Sequence, residues 1–110
     1  MQNTLFIQKY KMTFIVKKHK NLDNQIILAI IDKNLLGKTF EEENKILDCS
    51  SEFYNGTEMN EDEILKMLPA VNQINIVGEK IFSFLKKQEY AETKYEIQGI
   101  PFSFIIINRD

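Results

Sequence analysis

The stretch PAVNQINIVGEKIFSFLKKQ, Pro69 to Gln88, decides the fold. Val71, Ile74, Val77, Ile81, Phe82 and Leu85 recur at helical steps. Ile74 and Ile76 instead alternate as in a strand, and Gly78 weakens a helix by about 1 kcal/mol relative to alanine. The dominant period predicts one helix over residues 70–88, with Gly78 as a close-packing point. The competing reading is a short strand, Ile74 to Val77, and then a helix that starts at Gly78. Pro69 closes the element before it or opens the next one.

Upstream lies a strong helix start. Asn60 and Glu63 have capping-box spacing, Glu61, Asp62 and Glu63 suit the positive end of a helix dipole, and Met59 and Ile64 are spaced as a hydrophobic staple. Ile64, Leu65, Met67 and Leu68 give this helix its apolar face. Nearer the N-terminus, Met12 to Lys17 is rich in strand formers. Gln25 to Ile31 is a continuous apolar run suited to a strand buried on both faces. Asn21 to Asn24 is a turn between them, so the two runs form a hairpin. Asn34 to Phe40 reads as a loop around Gly37, Glu41 to Asn44 as a polar edge, and Lys45 to Cys49 as a weak third strand. Asn55-Gly56 marks a turn. Tyr95 to Ile97 and Phe102 to Ile107 are the last strands, the final one largely buried. Strands, then helices, then strands make an α+β chain. The expectation is a single small domain over residues 12–110, with a mainly antiparallel sheet and two helices packed on it, and an N-terminal extension over residues 1–11. That extension is expected to be poorly ordered, or to precede a start at Met12.

The 110 residues can bury roughly two-thirds of the unfolded chain's surface, enough for one core. Hydrophobic residues make up 44% and charged residues 27%, an ordinary globular balance. One cysteine, Cys49, excludes an internal disulfide. With the one histidine, His19, it also excludes a classical zinc finger. No apolar run is long enough to span a membrane as a helix, and lysines interrupt the N-terminal apolar runs, so no secretory signal is read. A cytoplasmic setting without membrane contact is expected, with Cys49 a free, small buried residue and His19 solvent-exposed. The net charge of −2 hides a segregation: residues 1–20 hold five lysines and no acid, and residues 41–63 hold nine acids and one lysine. The acidic total argues against DNA or general nucleic-acid binding. RNA binding through the basic N-terminal stretch is a third reading, with steep salt dependence as its mark.

Leu35-Leu36-Gly37-Lys38-Thr39-Phe40, Phe53-Tyr54-Asn55-Gly56, Asn75-Ile76-Val77-Gly78-Glu79 and Gly99-Ile100-Pro101 stand in this order. Together they resemble the small archaeal family catalogued as domain of unknown function 424, over nearly the whole chain from Met12 to Ile107. The resemblance implies a small archaeal cytosolic protein and brings no activity or ligand with it. It also implies a histidine after the Gly-Ile-Pro element. Here Phe102 holds that place, which removes a candidate acid-base group.

Five residues stand out as a ligand- or partner-binding set: Lys38, Tyr54, Asn75, Gly78 and Glu79. A helix starting at Gly78 would offer amides to an anion, with Lys38 as countercharge. Gly37-Lys38-Thr39 is not a phosphate loop, because the upstream glycine is missing. Glu41 to Glu43 lack the spacing of a calcium loop. Phe82, Phe84, Phe102 and Phe104 are expected in the core; exposed, and beside lysines such as Lys86 and Lys87, they would make an RNA platform. No catalytic set, metal site or cofactor is read. The expected function is a non-catalytic binding module for a protein or RNA-protein complex, with oligomeric state open. The alternative is a small enzyme or ligand-binding protein with an anion pocket near Lys38, Asn75 and Glu79. A closed pocket lined by those residues would favour the ligand. A flat patch or a buried glycine-packed joint would favour the module.

Overall fold

The stretch after Pro69 is a strand and then a helix, not one helix. In a computed structural model that describes residues 12–107, the elements run β1 (Thr13–Lys20), β2 (Ile26–Asp32), β3 (Thr39–Glu42), β4 (Lys45–Asp48), β5 (Thr57–Asn60), α1 (Glu61–Met67), β6 (Gln73–Val77), α2 (Glu79–Lys87), β7 (Tyr95–Ile97) and β8 (Ile100–Ile106). Gly78 explains the outcome. Its φ is +124°, a value that breaks a right-handed helix and that side chains other than glycine rarely adopt. The β-branched Ile74, Ile76 and Val77 before it then pair as a strand. The expectations for residues 1–11 lie outside the described residues.

Six strands form one sheet in the order β5-β1-β2-β6-β8-β7. Among the described residues β2 and β6 pair in parallel, and the other four pairings are antiparallel. The two parallel strands are central, and Leu28 to Ile31 and Ile74, Ile76 and Val77 are buried. That is why both read as continuous apolar runs. Asn72 stitches their start: its side-chain oxygen accepts from Ile26 N at 2.9 Å, its N–H donates to Ile26 O, and its carbonyl accepts from Ile107 N.

Both helices lie on one face of the sheet. Phe14, Val16, Leu28, Ile30, Ile74 and Ile76 meet Ile64 and Leu68 near α1 and Ile81, Phe82, Phe84 and Leu85 of α2. The capping box forms as read: Asn60 Oδ1 accepts from Glu63 N, and Glu63 Oε1 accepts from Asn60 N, each at 2.9 Å.

The opposite face is half covered. β3 and β4 form a separate two-stranded hairpin, so the loop and polar edge read over residues 34–44 hold a strand, Thr39–Glu42. The three glutamates Glu41 to Glu43 hide it in the sequence, because this hairpin buries only one side. Phe40, Leu47 and Tyr54 pack with Ile15, Ile31, Leu35, Cys49 and Val77 into a second, smaller core. Gln98 N donates to Glu42 Oε1 at 2.7 Å and ties the hairpin to the β7–β8 turn. Nothing local announces the short edge strand β5 either. Thr57 and Glu58 make no apolar run, and pairing with β1 alone makes it a strand.

Candidate functional site

Two places gather the candidate residues. The first is the N-terminus of α2. Gly78 is buried, its N–H donates to Pro101 O at 2.8 Å, and a Cβ there would stand 2.2 Å from the Asp32 side chain. Asp32, at the carboxyl end of β2, turns its carboxylate onto the helix start. Oδ2 accepts from Lys80 N and Oδ1 from Ile81 N, both at 2.9 Å. An internal carboxylate thus takes the place that a bound anion would fill at a free helix end. Burial raises the proton affinity of Asp32 above the ordinary aspartate value, against the opposing pull of the two amides and of the Lys80 ammonium. Glu79 points outward and is exposed. It borders a shallow hollow of about 290 Å³ with Asn34, Leu35, Lys80 and Pro101. Two of the four motifs, through Gly78 and Pro101, therefore meet in one buried, glycine-packed joint, and Leu35 of a third borders the hollow beside it.

The second place is the open half of the other sheet face. Register puts Asn75 between Ala29 of β2 and Phe104 of β8, and puts Tyr95 beside Phe102. Asn75 and Tyr54 line a groove of about 420 Å³ whose floor includes Val77, Phe102 and Phe104 and whose wall is all of β4, Lys45 to Asp48. Asn75 is only 8% exposed. Its Oδ1 accepts from Gln73 Nε2 at 2.7 Å, and its Nδ2 has no partner among the described residues. Around the groove Ile46, Tyr95, Phe104 and Ile106 stand 58–69% exposed. Phe104 and Ile106 therefore correct the reading of a largely buried last strand, and Phe104 is the exception in a set of phenylalanines that is mainly core. β8 buries Pro101 and Ser103, packs Ile105 against the helix-side core and Ile100 and Phe102 against the second core, and leaves Phe104 and Ile106 on the part of the face the hairpin does not cover.

The five residues do not form one site. Tyr54 and Asn75 share the groove, Gly78 is in the joint, Glu79 is on the hollow outside it, and Lys38 is exposed on the loop before β3 and lines neither. Burial in the second core pushes the Tyr54 hydroxyl up to about 12 and the Cys49 thiol up to about 11. Both are neutral near pH 7. His19 is half-buried rather than exposed: its ring stacks on Phe53 with centroids 4.3 Å apart, and Nε2 donates to Phe53 O at 2.9 Å. Among the described residues no three His, Cys, Asp or Glu side chains gather as a metal site. No helix there is long and apolar enough to cross a membrane.

Sequence reasoning missed Asp32, whose signal is a lone acid ending an apolar strand. It also missed the exposed alternation Phe102, Phe104, Ile106. These features define a small α+β domain with helices on one sheet face and a half-open, aromatic-lined groove on the other. The chain belongs to the family described as Protein of unknown function (DUF424), which it matches over residues 19–107. Its fold is similar to the crystal structure of an uncharacterized conserved protein from Methanopyrus kandleri. That likeness has a TM-score of 0.73 and 24% identity, and covers 89% of this chain and 95% of the other. No curated protein matches the chain.

Proposed function

We propose that the chain is a non-catalytic binding module of the archaeal cytoplasm, and that its contact surface for a partner protein is the open half of the sheet. The observation that carries this reading is the exposure of Ile46 and Phe104 on the lining of the Tyr54–Asn75 groove, with Tyr95 and Ile106 exposed next to Phe102 and Phe104 beyond it. Clustered exposed apolar side chains mark interaction sites, whereas single ones are ordinary. Charge favours a protein over RNA. The groove's own charged residues are Lys45 and Asp48, one of each sign, and Glu41 to Glu43 stand on the same hairpin. That rim suits no phosphate backbone. The α2 joint supports the same reading from the other side, since Asp32 occupies the helix end on which the anion-pocket alternative depended.

The test is affinity capture from archaeal lysate with wild type, Phe104→Glu, Ile106→Glu and Lys38→Ala/Glu79→Ala, with and without nuclease. The reading predicts a protein retained by wild type and by the Lys38/Glu79 variant, lost with either glutamate variant, and unaffected by nuclease. Capture indifferent to Phe104 and Ile106, or abolished by nuclease, contradicts it.

A further inference from the structure

The hairpin register fixes which main-chain groups of β4 face the groove side. Cys49 N donates to Lys38 O at 2.7 Å, and the pairing places Thr39 opposite Asp48, Phe40 opposite Leu47 and Glu42 opposite Lys45. In an antiparallel pair, hydrogen-bonded residue pairs alternate with non-bonded ones. Lys38–Cys49, Phe40–Leu47 and Glu42–Lys45 are then the bonded pairs. The N–H and C=O groups of Ile46 and Asp48 point away from β3. β4 pairs with β3 alone, and no main-chain bond to Ile46 or Asp48 is made from any other described residue.

Resting on the binding-module reading, we infer that the groove takes an extended segment of the partner protein, which adds as a strand to the free edge of β4. Strand addition draws affinity from main-chain hydrogen bonds and specificity from pockets for alternate side chains. Both parts are in place. The edge offers two donors and two acceptors, from Ile46 and Asp48. Beside it the groove presents Tyr54, Phe102 and Phe104 to every second side chain of the incoming strand. The Asn75 amide, buried on the floor with Nδ2 unpartnered among the described residues, supplies a donor for a main-chain carbonyl of that segment. Charge selects the sequence. On this hairpin the exposed acids Glu41, Glu42, Glu43 and Asp48 outnumber Lys45, and hydrogen bonds from Ser50 and Thr39 hold the Asp48 carboxyl below its ordinary value, so it stays ionised. The segment therefore alternates apolar residues with lysine or arginine.

The test pans the full chain against a displayed library of random octapeptides and tracks the selected peptides by amide NMR. The expected peptides alternate apolar and basic residues and slow the hydrogen exchange of the Ile46 and Asp48 amides. They bind at least tenfold more weakly to Asn75→Ala, and lose binding when their main chain is N-methylated at alternate positions. Peptides that survive N-methylation on both alternations, or that shift resonances of α2 instead of β4, overturn strand addition. So does a library that yields no binder while the lysate partner is still lost with Phe104→Glu; that result leaves the binding-module reading standing and removes this mode. Self-association of the chain through β4, seen as dimerisation lost with Ile46→Pro, would make a second copy the occupant and equally overturn it.

Discussion

Replacing Asp32 with alanine removes the acceptor for two amides at the start of α2. The Ile81 N–H loses its partner in a buried setting, since Ile81 is fully buried, whereas Lys80 is exposed and water can replace the carboxylate there. A hydrogen bond to a charged group contributes about 1.5–3 kcal/mol, and a water-replaced cap contributes less, about 0.5–1 kcal/mol. Together the loss is about 2–4 kcal/mol. For a domain of this size, about 4–5 °C of Tm per kcal/mol gives a fall of roughly 8–20 °C. Thermal unfolding monitored by circular dichroism measures it. A Tm within about 3 °C of wild type would refute the claim that this carboxylate holds α2 on the sheet. The pH dependence carries a separate sign. Burial raises the folded-state proton affinity of Asp32 above the ordinary value of 3.8, so the folded protein binds this proton more readily than the unfolded chain. Its contribution is therefore greatest below that value and declines as pH rises through the folded-state value. Asp48 and Glu58 act oppositely: hydrogen bonds hold them below their ordinary values, and their contribution is lost as pH falls. Asp32→Asn thus steepens the loss of stability on acidification.

Three further outcomes rest on the same geometry. Gly78→Ala forces a Cβ into the Asp32 side chain at positive φ and lowers Tm by more than about 10 °C, read by the same unfolding curve. Asn60→Ala removes half of the capping box of α1 and costs about 1 kcal/mol in urea titration, with an unchanged dependence on urea concentration. Cys49, buried with its thiol at about 11, reacts with a thiol reagent at about pH 8 only after denaturation; rapid labelling of the native protein would contradict its burial.

Local chemistry is legible where it acts over a few residues. The Asn60–Glu63 box needs only four residues in line, and the apolar run Gln25 to Ile31 announces a central strand by itself. The features that stay hidden depend on partners far along the chain. The apolar steps across Val71 to Leu85 fit a helix until Gly78 meets Asp32 and Pro101, which local sequence cannot bring together. β3 ends in Glu41 and Glu42, with Glu43 next, and becomes a strand only through β4. Tyr54 and Asn75, picked out by their motifs, do share a groove, but Phe104 and Ile106 beside them read as core. An alternating apolar strand looks the same whether its second face is covered or bare, and the coverage here is set by a hairpin that reaches only half the sheet.

The proposed partner contact is on the open sheet face, and one measurement tests it against the helix face. A photoreactive benzoyl-phenylalanine placed at position 104, and separately at the exposed position 83 on α2, reads the contact inside the cell. The predicted result is one protein adduct at position 104 and none at position 83. An adduct at position 83 alone would move the contact surface to the helix face and contradict the binding of a partner on the open sheet.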